Sequence, residues 1–245
     1  MAKKAVSRET NQENLTYFCK ILEGIEHFVF FGTMLGLERD GGVIEGDDDI
    51  DFYVPVEERL QLIARLEENG IYIDGREKPN NTPYFLQARR FIGRSEVVAD
   101  FYLFEDNGHG VLKDRWNFHG QVAHLDMILH VPSELVYPLQ KQEFFGNQVN
   151  LPHNSRALCK FLYGPKWHQR LQKGTAYRTV IWRNKPLVFV GKYANMQYTI
   201  AKTLKKIRRL VNSEIEFSMT QLEYLISECF RLPKFSRRCA GSVIS

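Results

Sequence analysis

No uninterrupted apolar run in this chain approaches the roughly 20 residues that a membrane-spanning helix needs, so no helical span is expected. Cysteine is scarce. Cys19, Cys159, Cys229 and Cys239 lie far apart, and no pair has the close spacing of a zinc or redox motif. They are expected as reduced thiols in a reducing compartment. Charge of one sign is not in excess either: 33 basic residues are offset by 29 acidic ones, for a net charge of +4. That balance gives no argument for nucleic acid. There is no internal repeat, low-complexity tract or long linker. Met1-Ala2-Lys3-Lys4 is not followed by an apolar stretch, so no signal peptide is expected. The expected home is cytoplasmic, with or without a membrane surface nearby.

The chain is long enough, at 245 residues with 44% apolar, for one compact domain with a modest extension. Leu15, Phe18, Cys19, Leu22 and Ile25 fall at helical spacing and predict a helix over Glu9 to Glu26. A strand over His27 to Phe31 ends at the turn Gly32-Thr33, and a short helix covers Met34 to Arg39. Asp40-Gly41-Gly42 is a turn, and a strand runs from Ile50 to Val54. Glu57 to Asn69 is an amphipathic helix capped by Gly70. Four strands follow, over Tyr84 to Phe91, Glu96 to Phe104, Val111 to Phe118 and Gln121 to His130. Helices are expected from Arg156 to Tyr163, Tyr193 to Val211 and Met219 to Phe230. Strand runs after helices make the fold α+β, with a mixed or mostly antiparallel sheet. A domain over residues 9–170 and a helical, basic extension over 171–245 are expected.

The chemistry concentrates at Asp47-Asp48-Asp49-Ile50-Asp51. Strand residues two apart share a face, so Asp49 and Asp51 point the same way, with Asp47 just beyond and Asp48 opposite. Gathered carboxylates repel one another, and a hard divalent ion such as Mg²⁺ relieves that cost. The bland alternative is a solvated acidic turn. Against it stand the flanking apolar strand and the glycine turn Gly32-Thr33 about fifteen residues earlier, whose N–H groups suit phosphate. Asp100, within Val97-Val98-Ala99-Asp100-Phe101-Tyr102, is the best third carboxylate, since an aspartate among strand formers needs a partner. Asp126 is a weaker candidate. Arg39 offers a fork for phosphate oxygens, and a surface salt bridge is its alternative. Of Arg89 and Arg90 only one can face the site. His109, His119, His124 and His130 have no ligand spacing and are read as ordinary histidines.

The stretch from Phe30-Phe31-Gly32-Thr33-Met34-Leu35-Gly36 through Arg39, Gly41-Gly42-Val43-Ile44 and Asp47-Asp48-Asp49-Ile50-Asp51 resembles the signature of the LicD/fukutin family. Asp100-Phe101-Tyr102, then Phe144-Phe145-Gly146, Leu151-Pro152, Leu158 to Gly164 and Trp167 are similar to its later pattern. The resemblance covers about Leu15 to Trp167. It implies a nucleotidyltransferase-like fold, a mixed sheet flanked by helices. It implies Mg²⁺ or Mn²⁺ at Asp49 and Asp51, aided by Asp47 and Asp100. Members are LicD-type phosphotransferases, moving phosphocholine or an alditol phosphate from a CDP-activated donor to a glycan hydroxyl in surface polysaccharides or glycoproteins. The sequence departs from the family at Glu45-Gly46, where Pro-Trp is usual.

The expected activity is therefore metal-dependent transfer of a phospho-substituent. Asp47, Asp49, Asp51 and Asp100 are the catalytic set, with metal at Asp49, Asp51 and Asp100. Gly32, Thr33, Arg39 and Arg89 would contact donor phosphate. The partners are a CDP-linked donor and a glycan or lipid-linked glycan. A nucleotidyltransferase acting on RNA or a small alcohol is the first alternative; only Arg89, Arg90 and the last helix supply part of an RNA surface. A non-catalytic nucleotide- or glycan-binding relative is the second, and the intact acid set opposes it. Lys202, Lys205, Lys206, Arg208 and Arg209 share the 193–211 segment with Met196, Ile200, Leu204, Ile207 and Val211. Such a helix can lie on an anionic membrane, or pack on the domain with its basic face in water.

Overall fold

The computed structural model describes residues 6–74, 84–114, 128–172 and 175–211, the last helix being described by its side chains as far as residue 204. The helix expected over Met219 to Phe230, Asp126, His119 and His124 lie outside the described residues.

Helix α1, Arg8–Ile21, begins where the Ser7 side chain accepts from the Thr10 N–H at 3.2 Å, a cap that satisfies one free helix donor. It buries Asn11, Asn14, Leu15 and Phe18. The helix stops short of the expected Glu26, because the chain turns into a left-handed backbone at Gly24 (φ 84°). Strand β1, Phe28–Val29, leads into α2, Phe31–Asp40. Strand β2 is Asp51–Pro55, α3 is Arg59–Glu68 behind a single 3-10 turn, and β3 is Tyr72–Asp74. Strands β4, Phe85–Ile92, and β5, Ser95–Asp106, form the long central hairpin. β6, Val111–Asp114, and β7, Leu129–Pro132, occupy the described ends of the third and fourth expected strands.

These seven strands make one sheet in the order β1-β2-β5-β4-β3, with β6 joined to β5 and β7 to β6. β2 and β5 run parallel and all other pairs are antiparallel. The mixed sheet matches the α+β expectation. The parallel pair is what matters for function, because its register sets Asp51 beside Asp100 and Phe52 beside Phe101. One face carries Phe52 and Phe101, stacked at 5.4 Å and covered by Phe18 of α1 at 6.2 and 5.8 Å. Each such ring pair contributes about 0.5–1.5 kcal/mol beyond its buried area. The opposite face carries Asp51, Tyr53, Asp100 and Tyr102. There Tyr53 stacks between Phe30 (4.1 Å) and Phe104 (4.7 Å).

Helix α2 starts three residues earlier than the sequence suggests, so Gly32 and Thr33 sit inside its first turn rather than before it. The entry is strained: Phe31 has φ 34°, a conformation that costs a non-glycine residue about 1–3 kcal/mol. Its ring is held against Tyr102 at 4.7 Å. The exit is tight as well. A Cβ at Gly36 would stand 2.6 Å from the Gly42 carbonyl oxygen and 3.0 Å from the Ile44 side chain. Gly41 adopts φ 67°. The glycines thus fold the following loop back onto α2 and deliver it to the acidic run.

Two elements were not anticipated. Strands β8, Gln140–Phe144, and β9, Asn147–Leu151, form a hairpin around Phe145-Gly146, both at positive φ, ahead of α4, Ser155–Tyr163. Before the C-terminal helix, β10, Tyr177–Trp182, and β11, Lys185–Val190, form a ribbon around Arg183-Asn184, also at positive φ. Two central residues of positive φ match the twist of hairpin strands. Helix α5 is Ala194–Val211, and Met196 and Ile200 are exposed on it. The chain divides into a larger unit, Met1–Leu171 with Ile181–Leu187, and a smaller one, Gln172–Val180 with Val188–Ser245. No helix among the described residues is long and apolar enough to cross a membrane.

Candidate active site

The carboxylates converge from three pieces of chain. Asp51 opens β2, Asp100 lies directly beside it on β5, and Asp49 sits on the loop just before β2. One ligand oxygen from each of Asp49, Asp51 and Asp100 lies within 4.8 Å of the others. A second such group consists of Asp47, Asp48 and Asp49. The expectation that Asp48 points away is therefore corrected. Alternation holds only inside a strand, and residues 47–50 are not strand.

Each member is held in place. The Asp51 Oδ2 accepts from the N–H of Gly32 at 2.8 Å and of Thr33 at 3.3 Å, while the Asp51 N–H donates to the Thr33 hydroxyl at 2.8 Å. The start of α2 thus holds the buried Asp51 carboxylate with its free N–H groups, as a helix N-terminus holds any anion. Asp100 accepts from the Gln87 amide at 2.8 Å. The loop carrying Asp47 and Asp49 is tied to α1, because the Asn11 amide donates to both of their backbone carbonyls, at 2.9 and 3.3 Å. Asn14 anchors α1 to β5 through the Val98 carbonyl at 3.0 Å.

The electrostatics follow from crowding. Burial, then Asp49 and Asp48, push the Asp47 carboxyl up to about 7. Burial pushes Asp51 well above the usual carboxylate range, with Asp49, Asp100 and Asp47 adding repulsion, and the Thr33 N–H offsets part of this. The Tyr102 hydroxyl is raised by burial and by Asp51, Asp100 and Asp49. An array of hard oxygen ligands that repel one another in a shared pocket is the donor set a divalent cation neutralises. The residues therefore fit a metal ion.

The expected arginines already have acidic partners. Arg39, about 10 Å along α2 from Gly32, locks its guanidinium fork onto Asp40 at 3.1 and 2.9 Å. Arg170 meets the same carboxylate at 3.0 Å. These residues, with Arg8, Val43, Ile44 and Glu45, line a cavity of about 380 Å³. Arg89 is on the Asp100 side of the sheet, since it pairs with Val98. It donates to Gln87 at 2.6 Å and lies between Asp74 (3.7 Å) and Glu96 (3.6 Å). Arg90 is on the other face, over the Tyr17 ring at 3.6 Å. Gly46, where the family pattern has a large ring, adopts φ 79° in a turn closed by the Asp47 N–H on the Ile44 carbonyl at 3.3 Å. A side chain there would be strained, so this loop follows its own path into the acids.

Two residues escaped the sequence reading, Asn11 and Gln87. Asn11 had a signal: with Asn14 it interrupts the buried stripe of α1, and a buried amide needs partners. Gln87, in a strand of mixed character, had none.

Residues 24–154, more than half of the chain, match the family model of the LicD/FKTN/FKRP nucleotidyltransferase domain. Over 161 residues the chain is 25% identical to ribitol 5-phosphate transferase FKRP of Mus musculus, covering 63% of this chain and 31% of that protein. The Homo sapiens protein of the same name gives the same identity and coverage. The chain thus spans about a third of the length of these relatives. Among solved structures, the lincosamide antibiotic adenylyltransferase LnuA with bound lincomycin superimposes with a TM-score of 0.42 at 12% identity, over 60% of this chain and 83% of that one. The acidic constellation on its mixed sheet and the match across residues 24–154 agree: the chain belongs to the LicD/FKTN/FKRP family, whose nucleotidyltransferase domain those residues match.

Proposed function

We propose that the protein transfers a phosphate-linked substituent from a CDP-activated donor to a glycan hydroxyl, with Mg²⁺ or Mn²⁺ held by Asp49, Asp51 and Asp100. The observation that carries this reading is the β2–β5 register, which brings the buried Asp51 and Asp100 together with Asp49 at the start of α2. When bound, the cation would offset the negative charge of the donor pyrophosphate and of the departing nucleotide. The chain's own groups do the rest. Gly32 and Thr33 orient Asp51, and Gln87 orients Asp100. Asp47 lies outside the Asp49–Asp51–Asp100 group, sharing the second group with Asp48 and Asp49, and in this reading it accepts the proton. The acceptor oxygen forms the new P–O bond, its proton passes to an Asp47 carboxylate oxygen, and the bond from phosphorus to the CMP oxygen breaks. Arg39 and Arg89 are not retained as donor contacts, because carboxylates already face their guanidinium groups.

Thermal unfolding tests the donor class. CDP-linked alditols or choline with Mg²⁺ are expected to raise the melting temperature by several degrees, since a ligand at about 100 times its Kd adds about 2.7 kcal/mol. CTP, ATP and RNA are expected to protect less. Equal protection by RNA, with none from CDP compounds, would replace this reading with the RNA alternative.

A further inference from the structure

Past Asp100 the same sheet face continues as a strip over the buried Val98 to residues exposed at its outer end. Register and alternation put Gln87, Arg89 and Phe91 of β4, Tyr72 and Asp74 of β3 and Glu96 of β5 on the Asp100 side. From Asp100 to Glu96 the strip runs about 13 Å, four residues of strand rise. The opposite face of these strands is covered, with Ile73, Ala88 and Val97 buried and Arg90 packed on α1.

Two large rings stand in the open here. Tyr72 is 66% exposed and Phe91 is 71% exposed. Tyr72 lies opposite Arg89, and Phe91 lies diagonal to Tyr72, so their Cα atoms are about 7–8 Å apart. From the Tyr72 position a polar chain runs away from Phe91 to the reacting acids. Asp100 accepts from Gln87 (2.8 Å), Gln87 accepts from Arg89 (2.6 Å), and Arg89 lies between Asp74 and Glu96. The guanidinium thus fixes two carboxylates whose side chains are still 59% and 41% exposed.

The charge selects the partner. Arg89 faces both Asp74 and Glu96, so with Asp100 the strip carries three carboxylates against one guanidinium, a formal excess of about two negative charges before the Asp47–Asp51 run is added. A phosphorylated or otherwise anionic chain would be repelled. A neutral, hydroxyl-rich ligand would not: its hydroxyls suit carboxylate and amide groups, and its flat C–H faces suit the two rings. We propose that this strip is the acceptor subsite, holding a neutral oligosaccharide between Tyr72 and Phe91 with its reacting hydroxyl at Asp100. The proposal rests on the phosphotransfer reading for the identity of the ligand as acceptor.

The test is saturation-transfer NMR on the full chain with Mg²⁺, using neutral hexose and N-acetylhexosamine tetrasaccharides and their 6-phosphorylated forms as probes. The wild type is expected to bind at least one neutral probe more tightly than its phosphorylated form. Y72A/F91A is expected to bind that probe about tenfold more weakly. Both rings are exposed, so the melting temperature of the variant should stay at the wild-type value. In any transfer assay the loss should appear as a raised KM for acceptor with unchanged kcat at saturation. Undiminished binding by the double variant, no binding of any neutral probe, or preference for phosphorylated probes overturns the subsite. Protection by CDP compounds is measured on the same samples. If it is present while neutral sugars fail to bind, the subsite alone falls; if it is absent while they bind, the donor reading falls and the surface stands.

Discussion

Asp51→Asn is expected to lower the proposed transfer by about a thousandfold or more, and at the same time to raise the melting temperature of the metal-free protein. The two effects share one cause. Asp51 is 6% exposed and sits among Asp47, Asp49 and Asp100, so its charge is costly whenever no cation is bound. Asparagine keeps the acceptor oxygen that receives the Gly32 and Thr33 N–H groups, and its NH₂ group can donate to a neighbouring carboxylate. The loop and strand therefore stay in place while repulsion falls. Added Mg²⁺ should stabilise the wild type and leave the variant nearly unchanged, as calorimetry with and without metal will show. Near-wild-type turnover, or an unchanged response to Mg²⁺, would sink the metal assignment.

The same carboxylates set the pH dependence of the metal-free protein. Asp47 and Asp51 have folded pKa values above the ordinary 3.8, with Asp47 at about 7. The folded state then binds more protons than the unfolded one, so their contribution is full below about pH 4 and fades as pH rises through the folded values. Metal-free melting temperatures should fall between about pH 4 and 7 for this reason. The slope should flatten in Asp51→Asn and in saturating Mg²⁺.

How much of this was legible in the sequence depends on where each residue sits. Asp51 and Asp100 lie inside strands: alternation along its strand picked out Asp51, and the need of an aspartate among strand formers for a partner picked out Asp100. Asp48 lies on irregular chain, and the same rule misplaced it. Gly32-Thr33 read as a turn because glycine ordinarily breaks a helix. Here α2 begins at Phe31, in a strained conformation, with its ring packed on Phe30 and Tyr102. The hairpins at Phe145-Gly146 and Arg183-Asn184 were missed for a related reason: phenylalanine and arginine rarely adopt positive φ, and neither pair resembles the common Asn-Gly turn. Arg89 looked free for phosphate because Asp74 and Glu96 become its partners only once the strands are paired, whereas for Arg39 the salt-bridge alternative holds, with the adjacent Asp40.

Gly32 offers the sharpest separation of stability from function. It lies in the first turn of α2 with an ordinary helical backbone, so alanine there should add up to about 1 kcal/mol from helix propensity alone. The new methyl carbon would nevertheless stand 3.1 Å from the Asp47 Oδ2 and 3.1 Å from the Asp51 Oδ2. Both oxygens must then yield by a few tenths of an ångström, and the 2.8 Å bond from the Gly32 N–H to Asp51 must lengthen with them. A displacement of about 1 Å at a reacting centre costs on the order of 100-fold, so this smaller one should cost about tenfold in rate. The Mg²⁺ concentration for half-maximal activity should rise, while the melting temperature stays level or increases. Gly42→Ala is the matched control. The nearest atoms to its added carbon belong to the Arg8 guanidinium, the far end of a flexible side chain that can swing aside, so rate and metal response should remain close to wild type. If Gly32→Ala has the same rate and the same metal response as Gly42→Ala, the two carboxylates have room to move, and the tight fit of α2 against the acids does not govern the chemistry.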